Sequence, residues 1–285
     1  MQFGLACLDA DDTSLLGGSN FRKHRVRRTL RIILAISACA LTWSALPVAC
    51  TPTRSTWNPW PKGEHRTYTT NFALTENPIN ESGTWTNGKL DGVDWSDVRT
   101  TAGMAFGTQL PPTGPPFNDS VALLRGEWLP DQMATGIVHT VQQKSGNTYE
   151  EVELWLRGAI SQHVATGYEI NFRCLMGHDS YVQLTSWDGA LNKFTRITAT
   201  TGPGIREGDI VAASIVGNTV TVWINGIQVL QERDLKNRHR TGSPGIGFYY
   251  QGSGGSDLDF GFTSFAASDE LRTPLSPLSL SASVR

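Results

Sequence analysis

Between residues 67 and 265 apolar and polar side chains alternate one for one in short runs, each bounded by Gly, Pro, Asn or Asp. The runs are TYTTNFAL (67–74), MAFGTQ (104–109), SVALLRG (120–126), ATGIVHTVQQ (134–143), EEVELWLRG (150–158), GYEINFRCL (167–175), YVQLTSWDG (181–189) and FTRITAT (194–200). They continue with DIVAASIV (209–216), NTVTVWIN (218–225), IQVLQERD (227–234), GIGFYYQG (245–252) and DLDFGFTSF (257–265). A period of two is the signature of strands with one buried face. No stretch of this region holds the 3.6-residue period of a helix, so the pattern predicts an all-β chain, an antiparallel β-sandwich or jelly roll.

Two dipeptides fix the local order. Gly217-Asn218 and Asn225-Gly226 each separate two alternating runs, and both supply the positive φ angles that tight hairpins need. Residues 209–234 are therefore expected to form a three-stranded meander. The segment GDIVAASIVGNTVTVWINGIQVLQERD, followed by Gly245, Ile246, Gly247 and Phe248, resembles the late strands of concanavalin A-like lectin/glucanase domains, laminin G-like modules included. With GTWTNG early and FGFTSF last, the resemblance spans about residues 68–266. It implies two packed antiparallel sheets, one convex and one concave, on a scaffold that carries lectins, glycosidases, polysaccharide lyases and adhesion domains alike.

The flanks differ in character. Basic RKHRVRRTLR (22–31) precedes the apolar run IILAISACALTWSALPVA (32–49), and polar TPTRST follows. This order predicts a secretory leader over residues 1–49, with a membrane anchor as the rival. Leu46-Pro47-Val48-Ala49-Cys50 resembles a bacterial lipobox, which would place a lipid on Cys50, although Pro47 stands where Leu is usual. Residues 50–66 then form a linker, 67–266 the domain, and the Ser/Pro-rich 267–285 a flexible tail. Loss of the leader removes six of 24 basic and three of 26 acidic residues, leaving 18 against 23 and a net charge of −5. An acidic, exported, monomeric domain is expected, secreted or attached to the envelope, and nucleic acid is excluded as a partner because basic patches supply most of that affinity. The cysteines left, Cys50 and Cys174, make no disulfide framework, and Cys174 falls on the apolar parity of its run.

Parity assigns the outward faces. Val152, Leu154 and Leu156 point inward, leaving Glu151, Glu153, Trp155 and Arg157 outside. Tyr168, Ile170, Phe172 and Cys174 go in, with Glu169, Asn171 and Arg173 out. Val182 and Leu184 go in, with Tyr181, Gln183, Thr185 and Trp187 out. If these three strands are neighbours, the outer sets merge into one surface of acids, amides, guanidiniums and aromatic rings. Rings that stack on the C–H faces of a pyranose, beside groups that bond hydroxyls, make a glycan site. The plainer reading is a solvated face with cross-strand pairs such as Glu153 with Arg173 or Glu169 with Arg157.

The same row holds the candidates for catalysis. Laminarinases and lichenases, which share the scaffold, carry Glu-x-Asp-x-(x)-Glu on one strand; here Glu151 matches, Glu153 replaces the Asp, and Trp155 stands where the last acid belongs. A lyase would draw on Arg157, Tyr181, Gln183 and Asn171 with His139 or His163 as base. If the chain is an enzyme, Glu151, Glu153, Arg157 and Tyr181 are the catalytic candidates. Asp257 and Asp259, with Asp91, Asp94 and Asp97, offer oxygens to a structural calcium ion, turn formation being the simpler role. No other cofactor is expected, and the histidines show no zinc spacing. The expectation is a polysaccharide-binding, lectin-like domain, with a polysaccharide lyase or glycoside hydrolase as the alternative. A laminin G-like adhesion module anchored by Trp155 and Trp187 is the second alternative.

Overall fold

The computed structural model describes residues 64–89, 95–109, 119–141, 148–190, 193–236, 238–252 and 255–270. The leader, Cys50, Asp91, Asp94 and most of the expected tail lie outside them. Among the described residues no helix is long and apolar enough to cross a membrane.

Among the described residues fifteen strands form: β1 (Thr67–Thr70), β2 (Trp85–Asn87), β3 (Arg99–Thr101), β4 (Met104–Phe106), β5 (Ser120–Leu124), β6 (Gln132–Thr140), β7 (Tyr149–Ser161) and β8 (Val164–Arg173). They continue as β9 (Tyr181–Ala190), β10 (Phe194–Thr201), β11 (Ile210–Val216), β12 (Thr219–Ile224), β13 (Ile227–Arg233), β14 (Ser243–Gln251) and β15 (Phe260–Ser268). One sheet has the order β13-β12-β11-β6-β15-β4-β3, with β1 also on β15; the other runs β10-β9-β8-β7-β14-β5-β2. Every pairing between strands is antiparallel. The all-β sandwich predicted from alternation is thus what the chain builds, and the meander of β11, β12 and β13 turns at Gly217-Asn218 and Asn225-Gly226, where Gly217, Asn225 and Gly226 all have positive φ. The short strands β2 and β3 hold three residues each and have no periodic signal to be read. The expected strand over 257–265 starts late. Ser256 caps a single 3-10 turn, Asp257–Asp259, by accepting from the Leu258 amide, and Asp259 returns the bond to the Ser256 amide.

The inward parity is correct. Val152, Leu154, Leu156, Tyr168, Ile170, Phe172, Cys174, Val182 and Leu184 are all buried in one cluster with Val138, Val211, Ala213, Val220, Phe262 and Phe265 of the opposite sheet. Packing there is tight enough to demand glycine: a Cβ at Gly136 on β6 would meet Cδ1 and Cε1 of Phe262 at 2.5 Å. Burial raises the thiol pKa of Cys174, so this cysteine is packing material rather than a nucleophile.

Candidate functional site

The three strands expected to be neighbours are neighbours, in the order β9-β8-β7, and β14 lies beyond them. Register sets the rows of the outer face. Arg173, Glu151 and Tyr249 stand side by side on β8, β7 and β14; the next row is Asn171, Glu153 and Gly247; the next is Glu169, Trp155 and Gly245. The expected pairs Glu153 with Arg173 and Glu169 with Arg157 are therefore not made. Glu151 faces Arg173, Glu153 faces Asn171, and Trp155 faces Glu169.

This face is not a simple wet surface, and three placements change. Trp155 is fully buried and Trp187 is 2% exposed. Trp95, from the segment before β3, folds over both, its ring 5.6 Å from Trp155 and 4.6 Å from Trp187. With Val121, Leu123 and Ala165 they make a second, smaller core outside the sheet. Neither indole is an exposed sugar platform or an interface anchor. Arg157 leaves the face altogether. The β7–β8 register shifts between Leu156 and Ala159, Arg157 takes φ 51°, and its guanidinium is buried against the carbonyls of Pro130, His239 and Gly217. With Arg157 gone, His139 on β6 of the opposite sheet and paired to Glu207, and His163 in the turn between β7 and β8, only Asn171, Tyr181 and Gln183 of the expected lyase set share one cleft.

What remains is a groove. A cleft of about 310 Å³ is lined by Asp119, Glu151, Glu153, Glu169, Asn171, Gln183 and Thr185, with Tyr149, Tyr181, Tyr249 and Phe194 as aromatic walls and Arg196 at the edge. A second depression of about 510 Å³ shares Tyr149, Tyr181, Gln183 and Arg196 and continues over His178, Asp179 and β10. Arg173 supports the wall from beneath: it donates to the carbonyls of Asp179 and Thr148 and stacks under Tyr149 with its Cζ 4.2 Å from the ring centre. Seven predicted residues thus line the cleft (Glu151, Glu153, Glu169, Asn171, Tyr181, Gln183 and Trp187), Arg173 underpins it, Trp155 lies below it, and Arg157 is elsewhere. Asp119, Tyr149, Tyr249, Phe194 and Arg196 were missed.

The floor carries carboxyl groups in a space that disfavours charge. Burial is the largest influence on each. It pushes Glu151 up to about 7, with the Tyr181 hydroxyl, which donates to its Oε1, pulling the other way. Glu153 lies well above the usual carboxylate range because of burial and then the nearby Glu169 and Asp119. Asp119 is raised by burial and then by Glu169 and Glu151. Glu169 is raised by burial, opposed by the bonds it accepts, including 2.8 Å from Trp187 Nε1. Asp119, Glu153 and Glu169 each present an oxygen within 4.8 Å of the others. Gly247 makes this possible. A Cβ there would stand 2.9 Å or less from both Glu153 Oε2 and Trp155 Nε1, so the bare backbone of β14 is the bed on which the Glu153 carboxyl lies.

Of the calcium candidates expected from the sequence, Asp91 and Asp94 lie outside the described residues, and among the described residues Asp97, Asp257 and Asp259 belong to no cluster of three acids. Asp259 is used by its cap, Asp257 has a buried Oδ1 with no partner, and Asp97 accepts from the Lys89 amide at 2.9 Å.

No protein-family model matches the sequence, and no curated protein does. Among solved structures the chain is similar to carbohydrate binding module CBM66 from Bacillus subtilis, at 15% identity over 67% of this chain and 94% of that one, with a TM-score of 0.41. It is similar to the exoplasmic/lumenal domain of VIP36 in its Ca2+/Man3GlcNAc-bound form, at 11% identity over 70% and 89%, TM-score 0.48. It is also similar to β-agarase A from Zobellia galactanivorans, at 10% identity over 75% and 97%, TM-score 0.44. Likeness this low carries no argument, and the antiparallel β-sandwich rests on the strand order itself.

Proposed function

We propose that this is an exported domain that binds a polysaccharide along the outer face of its seven-stranded sheet. The observation that carries the reading is the groove itself: two adjoining depressions on one face, sharing Tyr149, Tyr181, Gln183 and Arg196. Ring faces of Tyr149, Tyr181, Tyr249 and Phe194 suit the C–H side of sugar rings. The amides of Asn171 and Gln183 and the carboxyl of Glu151 suit hydroxyls, which both donate and accept. Together the depressions run from β14 across β7, β8 and β9 to β10, longer than one sugar ring needs.

Glycan cleavage is the second reading, favoured by one observation. Glu151, lifted to about 7 and bonded by Tyr181, is poised as a proton carrier near neutral pH.

The deciding experiment incubates the purified protein with a panel of insoluble and soluble polysaccharides and measures retention, reducing ends and unsaturated uronates. Retention without products is expected, with Tyr181→Ala weakening it at least tenfold. Products of either kind would replace binding with catalysis, and no retention on any polymer would overturn both.

A further inference from the structure

We propose that Asp119, Glu153 and Glu169 form a binding site for a divalent cation of the calcium class, set in the floor of the groove. The three carboxyls come from separate places: the residue before β5, the middle of β7 and the middle of β8. Sheet order puts β14 between the first two, and the missing side chain of Gly247 opens the way across it. Their oxygens lie within 4.8 Å of one another.

A cluster of acids alone is not a site. Here the oxygens lack a balancing positive charge. Glu153 is fully buried and its carboxyl pairs only with the Glu169 carboxyl; Asp119 Oδ1 and Glu169 Oε1 accept from no other donor. Among the described residues no Lys, Arg or His forms an ion pair with any of the three. The guanidinium on the neighbouring row, Arg173, donates to the Asp179 and Thr148 carbonyls. The indole nitrogen of Trp155, outside the carboxyl set and fully buried, points a donor into the same space and finds no acceptor. A hydrated cation meets every one of these demands: its charge answers the carboxylates, and a water in its shell accepts from Trp155. Hard oxygen donors without nitrogen or sulfur select calcium over zinc. The site opens on the cleft, so solvent supplies the remaining ligands.

Terbium(III) tests this directly, because Trp187 donates to Glu169 and Trp155 lies beside Glu153, close enough for an indole to sensitise a bound lanthanide. Titrating the full chain with terbium chloride in the absence of any glycan should give saturable emission at one ion per chain, displaced by calcium chloride. Glu153→Gln and Glu169→Gln should each weaken it at least tenfold. Both substitutions remove a buried charge, so both variants should fold, as circular dichroism will show. Calcium should also raise the wild-type melting temperature and leave that of Glu153→Gln unchanged. Absence of sensitised emission, or emission equally strong in both variants, would overturn the site. Retention of polysaccharide is measured separately, with and without a chelator, so loss of this site and loss of the glycan reading give different results.

Discussion

Trp155→Ala separates the buried indole seen in the structure from the exposed platform that strand parity suggests. The ring is fully buried and packs on Trp95. A buried indole covers about 150–250 Å², which at roughly 25 cal/mol per Å² amounts to about 4–6 kcal/mol as an upper bound. The indole nitrogen has no acceptor, so truncation forfeits no hydrogen bond and relieves about 1 kcal/mol of unmet polarity. The expected loss is therefore about 3–5 kcal/mol, in line with other aromatic truncations in cores. For a domain of about 200 residues that lowers Tm by roughly 6–20 °C. Urea denaturation followed by far-ultraviolet circular dichroism gives the free energy, and calorimetry the temperature. Trp95→Ala should cost a similar amount, and the double variant less than the sum, since the two rings share one interface. A loss below about 1 kcal/mol for Trp155→Ala, with polysaccharide retention abolished, would show that the indole faces solvent and would refute the second core.

Arg157→Ala should destabilise by about 2–4 kcal/mol, because it strands the carbonyls of Pro130, His239 and Gly217 and leaves a strained φ to alanine. Polysaccharide retention measured well below the new melting point should be unchanged, and a selective loss of retention would return Arg157 to the groove. Gly136→Ala should cost about 1–3 kcal/mol through its collision with Phe262, read as a shifted urea midpoint without loss of groove function. Asp257 has a folded pKa lifted by burial from 3.8 to about 6. Its folded form holds the proton more tightly, so its contribution to stability is full below about 3.8 and is lost as pH rises through 6. That gap corresponds to about 3 kcal/mol when complete and to about 1–2 kcal/mol after allowing for partial exposure. Asp257→Asn should gain that amount at pH 7.5 and almost nothing at pH 3.5, and an equal gain at both would refute the assignment.

The inner half of the sandwich was legible because a period of two has only one solution once a face is dry. Val152, Leu154 and Leu156 could go nowhere but between the sheets, and Gly217-Asn218 and Asn225-Gly226 announce their hairpins by φ alone. The outer half was not legible on the same terms. Alternation states that a side chain is outside the sheet, not that it is wet, and Trp95 reaches the second core from a loop with no periodicity at all. Parity also fails wherever a strand bulges. Arg157 keeps the spacing of an outer residue, yet the shift between Leu156 and Ala159 turns it away. Nor does parity set register: sliding β8 by two residues on β7 leaves every face unchanged, and that slide separates the expected Glu153 and Arg173 pair from the observed Glu151 and Arg173 pair.

One signal for the site was present in the sequence and concerns what is missing. In the run GIGFYY, Ile246, Phe248 and Tyr250 take the inner parity, which leaves Gly245, Gly247 and Tyr249 on the outer face. A strand that gives up two consecutive outer side chains in the middle of a sheet loses packing and gains entropy cost. The compensation must come from a neighbour's side chain lying across the bare backbone. On one side of Gly247 stands Glu153 and on the other Val121, two residues after Asp119. The glycine therefore predicts a trench shared by the two flanking strands, and the side chain that fills it is a carboxyl with no cationic partner. A trench filled by an apolar group would be packing. Filled by a carboxyl without a cationic partner, it makes the fold less stable by itself and more stable with a cation or a hydroxyl-rich ligand in place, so Gly247→Ala should raise the requirement for calcium rather than abolish folding. The check is the calcium concentration at the midpoint of the thermal shift, which should rise at least tenfold in Gly247→Ala and would be unmoved if the glycine merely fitted the strand.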